Sequence, residues 1–241
     1  MSGVPWTLKG RAPLLVTLAC ALVLMGAAAL SSVPGSVLAY HGAESVLRLG
    51  MGLAGAGTVA LLVVVLFHQR IRESGALLSA LTFLDAIPTL AWVPVLQQAA
   101  PSDEATIVMA TVIGGALPLT IATVRGISQV DRHLYLSAKL LGASGRALWV
   151  VLVQSARPAI VAGLRNCVYQ AARTVIGAEI LTTADFGLGR LATYARQASS
   201  VGGVIVVATI IGSAVALVDT LVLRRLQLET ERRWQTGGRR P

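Results

Sequence analysis

The sequence predicts an all-α, polytopic membrane protein with about six transmembrane helices. Three observations lead there. Of 241 residues, 55% are hydrophobic and only 13% charged; the mean hydropathy is +0.73; and the apolar residues gather in runs near the ~20 residues that a span needs. Six spans take up about half the chain and leave short loops, which argues against a fused ATPase or receptor. The expected division is a cytoplasmic segment 1–12, a transmembrane domain 13–225 with a cytoplasmic loop at about 125–147, and a basic tail 226–241.

The first run, about Pro13 to Leu30, follows Lys9 and Arg11. It resembles a signal sequence, with Val37-Leu38-Ala39 as a tolerable cleavage site, but its length and the spans behind it favour a retained helix. The second, about Val46 to Phe67, sets Gly50 four residues from Ala54 and Gly52 four from Ala56, a spacing that lets helix backbones approach in lipid. The third, about Ala76 to Leu96, contains Pro88 and Pro94, each of which removes a backbone donor, so a kink or break is expected. The fourth, about Ala105 to Val124, carries Gly114, Gly115 and Pro118. After a polar stretch come a run from about Leu148 to Leu181, too long for one straight span, and a last one from about Val201 to Leu223.

A formal charge of +9 would suggest nucleic-acid binding in a soluble protein. Here the basic residues lie mainly between apolar runs, not in one patch with interleaved aromatics, so no nucleic acid is expected. Fifteen of the twenty precede span one, separate spans two and three or four and five, or follow span six, while segments 31–44 and 97–105 hold none. The positive-inside rule then puts both termini in the cytoplasm. Arg190 and Arg196, in the loop after span five, are the exception. Cys20 and Cys167 sit inside apolar runs and read as packing residues.

In the polar stretch, Asp131 is placed to cap a helix. Leu134, Ala138 and Leu141 then form one apolar stripe, with His133, Ser137, Lys139 and Ser144 offering polar contacts. A short helix across the cytoplasmic face follows, either an interfacial linker or a docking element. Val130-Asp131, Leu136-Ser137-Ala138 and Gly142-Ala143-Ser144 resemble the cytoplasmic E-A-A-x-x-x-G loop of binding-protein-dependent ABC importer permeases. Ile87-Pro88-Thr89-Leu90-Ala91-Trp92-Val93-Pro94 is similar to the I-P-P-L-A-W-x-P stretch of the nitrate/sulfonate/taurine branch, and Ala178-Glu179-Ile180 with Gly187-Leu188-Gly189 to its A-E-x-I and later G-L-G. Order and spacing agree over roughly residues 76–225.

The resemblance implies a non-catalytic permease that works as a dimer, with a second copy or a paralogue, beside two ATP-binding subunits and an extracytoplasmic solute-binding protein, in a bacterial inner membrane. It implies that helix 131–145, with Asp131, Leu136, Ser137, Ala138, Gly142, Ala143 and Ser144, inserts into the ATPase. Two departures stand out. Leu136 replaces the Glu of the pattern and Gln154-Ser155 its common Leu-Pro, which implies weaker or differently built coupling, or a more typical partner permease.

The chain has no P-loop, because neither Lys9 nor Lys139 has the G-x-x-x-x-G-K-[ST] context. Gly142-Ala143-Ser144-Gly145 matches the G-x-S-G of rhomboid-type proteases, but His41, His68 and His133 all precede Ser144, where a later base is needed. No ligand spacing for a metal is present, and no cofactor is expected.

Charges inside spans are costly and face a bundle interior, a partner or a water-filled path. Arg165 and Arg173 in span five, Asp85 in span three, Glu179 near span five's outer end and Asp219 in span six are such charges. Eight residues separate Arg165 and Arg173, about 80° around the helix. They either line a path for an anionic solute such as a sulfonate or pair with Asp85, Glu179 or a carboxylate on a second copy. The resemblance implies that Gly187 and Gly189 shape the backbone of an outer vestibule; Trp92, between two prolines, is expected to pack. The alternatives are an importer permease for an osmoprotectant or thiamine precursor, and a stand-alone secondary transporter, for which neither inverted repeats nor an ion relay are evident.

Overall fold

The computed structural model describes residues 34–67, 75–199 and 201–235, all helix and connecting turns with no strand among them. The run at 13–30, Cys20 and the arginines at 70 and 72 lie outside the described residues. Helix α1 spans Gly35–Leu66, α2 Gly75–Ala86, a 3-10 turn Thr89–Trp92 and α3 Val93–Ala99. Helix α4 spans Asp103–Ser128, α5 Arg132–Leu140, α6 Gly145–Leu181, α7 Leu188–Gln197 and α8 Val201–Val218. A π turn, Asp219–Leu223, joins α8 to α9, Arg224–Gln235. Among the described residues, four helices are long and apolar enough to cross a membrane, α1, α4, α6 and the α8 segment 203–228, or five if α2 and its bent continuation count as one.

Helix α4 is the centre of the bundle. More than half of its most apolar window, 56%, is buried, against 17% for α1 and α6. Ser102 starts it, accepting from Ala105 N at 3.2 Å. Glycines bring its neighbours close: a Cβ on Gly115 would sit 3.0 Å from both Ala56 Cβ and Cys167 Sγ, and one on Gly126 2.7 Å from Ala159 Cβ. Its buried threonines satisfy themselves, Thr111 and Thr120 each donating to the carbonyl four residues back at 2.7 Å. On α1 the stripe that packs on α4 is Gly52, Ala56 and Ala60, all buried, whereas Gly50 and Ala54 are exposed. One of the two small-residue pairs in the sequence is therefore a packing face.

The two prolines of the third run do break it. The chain turns by 80° between α2 and the Thr89–Ala99 segment, with Pro88 entering the 3-10 turn and Pro94 in the first turn of α3. Helix α6 is continuous over 37 residues, with Pro158 inside it. At 1.5 Å per residue it is about 55 Å long, beyond the ~30 Å of a hydrocarbon core. The length that argued against a single span is accommodated by one long helix. The polar segment after it is not simply a loop: ten of its residues form α7, which packs Leu188 and Leu191 against Val207 of α8.

Candidate functional site

Glu179, two residues from the end of α6, is fully buried at 0% exposure, and so is its partner Arg48 of α1 at 1%. Arg48 Nη1 donates to Glu179 Oε1 at 2.8 Å and to the Phe186 carbonyl at 2.8 Å. The other edge of the guanidinium holds Glu104 of α4, with Nε 2.7 Å from Oε2 and Nη2 on Oε1. Ser45 Oγ, one turn before Arg48, donates across both Glu179 oxygens at 2.7 and 3.0 Å and accepts from Leu188 N at 2.9 Å. Gly189 N completes the shell, donating to Glu179 Oε2 at 2.8 Å. A charge so deep is tolerable only when paired and fully hydrogen-bonded, and here three helices and the corner before α7 supply the partners.

The two glycines of the corner fit around that carboxylate. Gly187 has φ +128, and a Cβ there would lie 2.5 to 2.6 Å from the Glu179 carboxyl atoms. A Cβ on Gly189 would lie 2.5 Å from the Ile176 carbonyl oxygen. His41 Nδ1 stands 3.0 Å from both N and O of Gly187, so the ring accepts from one or donates to the other according to its tautomer. The Glu179 and Gly187-Leu188-Gly189 motifs are thus two halves of one structure. Sequence reasoning missed its other members, His41, Ser45, Arg48 and Glu104. The available signal was Arg48, the one basic residue inside an otherwise uncharged apolar run of α1.

The second ionic site joins α6 to the π turn. Arg165 grips Asp219 with two parallel bonds, Nε to Oδ1 at 2.6 Å and Nη2 to Oδ2 at 2.7 Å. Its Nη1 donates to Gln227 Oε1 at 3.1 Å, and its guanidinium lies 5.9 Å from the Tyr169 ring centroid. Neither Asp85 nor Glu179 is the partner of Arg165 or Arg173, which corrects those two expected pairings. Glu179 is taken by Arg48, and Asp85, exposed near the end of α2, has no ion pair among the described residues.

Arg173, two turns beyond Arg165, is exposed and meets no carboxylate within ion-pair reach among the described residues; it touches only Gln170 Oε1 of its own helix, at 3.5 Å. It faces a groove of about 590 Å³ between α6 and α8, lined also by Tyr169, Ile211, Gly212, Asp219 and Thr220. Trp92 is half-buried beside Val93 and Val175, and its Nε1 is buried without an acceptor among the described residues.

At the other end of α6, Asp131 caps α5, accepting from His133 N at 2.8 Å. The exit of α5 is also closed: Ala143 N reaches Ala138 O at 2.9 Å and Gly142 N reaches Lys139 O at 3.0 Å, with Gly142 at φ +85. That is a Schellman arrangement, which needs the glycine. The helix ends at Leu140, short of the expected 145; Ser144 is extended ahead of α6, and Gly145 begins α6 at φ +47. Of the expected stripe only Ala138 is buried. Leu136, Ser137 and Leu134 are exposed, and Leu140 and Leu141 are each 88% exposed.

Long apolar helices, intramembrane charges paired within the bundle, and a short capped helix between two spans define a polytopic α-helical membrane protein. The chain belongs to the family of binding-protein-dependent transport system inner membrane components, which matches residues 12–232. It is 31% identical over 169 residues to the putative ABC transporter permease protein MJ0413 of Methanocaldococcus jannaschii, covering 70% of this chain and 63% of that one. It is 28% identical over 180 residues to the bicarbonate transport system permease protein CmpB of Synechococcus elongatus, covering 74% and 64%. Over 120 residues, 49% of this chain and 45% of the relative, it is 32% identical to the putative aliphatic sulfonates transport permease protein SsuC of Escherichia coli. The matches thus span under two thirds of each relative's length.

Proposed function

We propose that this chain is the non-catalytic permease subunit of an ATP-driven importer, forming the path of a small anionic solute delivered by an extracytoplasmic binding protein. The observation that carries the reading is α5: it is capped at both ends, yet leaves Leu140 and Leu141 almost wholly exposed. A short helix fixed at both termini with unpartnered leucines at its end suits insertion into another subunit, and the family supplies an ATP-binding subunit as that partner. Asp131, Gly142 and Ala143 set the shape of this element; Leu136, Ser137, Ala138 and Ser144 belong to it by position.

The anionic class is supported by Arg173, which faces the α6–α8 groove and meets no carboxylate within ion-pair reach among the described residues. Names of relatives, bicarbonate for one and aliphatic sulfonates for another, point the same way. A second permease, a copy or a paralogue, closes the open side of the groove, with Asp85, Trp92, Arg165, Arg173, Glu179, Gly187 and Gly189 lining or shaping the path. An unpaired cation argues against an osmoprotectant of quaternary ammonium type. The chain sits in a bacterial cytoplasmic membrane with both termini inside, within the division 1–12, 13–225 and 226–241. Extraction of the tagged full chain in mild detergent tests the assignment: an ATPase subunit co-purifies, and its absence under all mild conditions overturns the importer reading in favour of a stand-alone transporter.

A further inference from the structure

We infer that Asp219 is a tethered stand-in for the transported anion: its carboxylate occupies Arg165, and a small monovalent oxyanion replaces it there. This rests on the importer reading above and deepens it to a residue and a ligand charge.

The geometry of the pair is that of a captured ligand. Arg165 offers Nε and Nη2 as a planar fork, and both Asp219 oxygens sit on it at 2.6 and 2.7 Å. Nitrate, bicarbonate and an alkylsulfonate present two oxygens in a comparable way, so they satisfy the same fork. Arg165 keeps its position when the carboxylate leaves, because Gln227 Oε1 accepts from Nη1 at 3.1 Å and the Tyr169 ring lies alongside.

The two ionic sites differ in how costly they are to open. Arg48 and Glu179 are sealed from water, whereas the Arg165 and Asp219 side chains are 34% and 11% exposed. Asp219 itself lines the groove with Tyr169, Arg173 and Thr220. It is also the first residue of the π turn, a rare form that recurs at functional sites. Rewinding such a turn by one residue swings its side chains by about 100° around the helix, which takes the carboxylate off Arg165 without unfolding α8.

Charge sets the ligand class. Two arginines and one aspartate leave the site with one net positive charge, which a single monovalent anion neutralises. A dianion leaves a net negative charge in an apolar groove and is disfavoured.

The test uses the full chain purified in mild detergent with its co-purifying subunits, its unfolding midpoint followed against nitrate, bicarbonate, methanesulfonate and sulfate at constant ionic strength. The wild type is stabilised by at least one of the monovalent anions and not by sulfate. Asp219→Asn frees the fork and responds at about tenfold lower concentration, since the binding-competent fraction rises, and it acquires a response to sulfate. Arg165→Gln loses the response, and so does the double variant Arg165→Gln/Asp219→Asn, which leaves no unpaired partner and so keeps the fold. The inference is overturned if no anion stabilises the wild type, if Asp219→Asn responds no better than wild type, or if Arg165→Gln or the double variant responds as wild type does. ATPase co-purification, scored on the same preparations, reports separately on the importer reading.

Discussion

Arg48 and Glu179 stand 131 residues apart in the chain and meet at 2.8 Å inside the bundle, neither side chain reaching solvent. The contact ties the first half of α1 to the end of α6. Through Ser45 and Phe186 it fixes the corner that leads into α7.

Removing one partner leaves the other buried and unpaired. Arg48→Met is expected to destabilise the chain by about 3–5 kcal/mol, and the double variant Arg48→Met/Glu179→Met by much less, because a hydrophobic pair avoids the desolvation of both ions. Denaturant unfolding in mild detergent of the two single variants and the double one gives the coupling; equal losses in all three would show that the ion pair is not the source.

Gly187 answers to two constraints at once. At φ +128 an L side chain is strained, and its Cβ would press on the Glu179 carboxyl. Gly187→Ala is therefore expected to lose about 1–3 kcal/mol from backbone strain, with further loss from the clash. Adding Gly187→Ala to a Glu179→Ala background relieves the clash and leaves the strain, so the difference between Glu179→Ala and the double variant gives the strain, and the full cycle separates the two terms in the same unfolding measurement.

The spans were readable because apolar length and proline placement act locally. Pro88 ends the third run's first helix and enters the 3-10 turn, and Asp131 caps α5 using atoms of its own turn, whereas Pro118 and Pro158 sit inside continuous helices. What could not be read was which charges meet. In sequence, Arg165 either lines a path or pairs with Asp85, Glu179 or a carboxylate on a second copy, and Asp219 is not among these because that pairing depends on the packing of α6 beside the π turn. Arg48 escaped notice for a similar reason: in sequence it interrupts an apolar run, and only the arrival of Glu104 and Glu179 from two other helices gives it a role. The glycines of the corner were identified as shaping the backbone, but the carboxylate they enclose came from α6.

Trp92 offers a cleaner separation of packing from hydrogen bonding. Its Nε1 is buried without an acceptor among the described residues, so Trp92→Phe loses ring volume but removes an unsatisfied donor that costs about 1–3 kcal/mol to bury. The expected change in unfolding free energy is small, under about 1.5 kcal/mol, against about 3–5 kcal/mol for Trp92→Ala. A loss in Trp92→Phe as large as that in Trp92→Ala would show that Nε1 does have a partner in solution.

Leu136 is where the docking element departs from its family pattern, and its exposure makes the consequence measurable. The side chain is 42% exposed on α5, so Leu136→Glu is expected to change stability by no more than about 0.5 kcal/mol. Glu at this position lies at the middle of the nine-residue α5, where a negative charge suits the helix dipole better than it does in the last turn. If α5 inserts into an ATPase subunit, the variant restores the charge that the pattern carries there and strengthens the association, read as more ATPase retained through detergent washes. Leu140→Asp and Leu141→Asp are the opposite case. Both leucines are exposed, so the permease stays folded, but a charge at the end of an inserted helix must be desolvated without a partner, and retention falls by about tenfold or more, the equivalent of 1.4 kcal/mol. Unchanged retention in both aspartate variants would remove α5 from the docking surface while leaving its caps and its fold as they are.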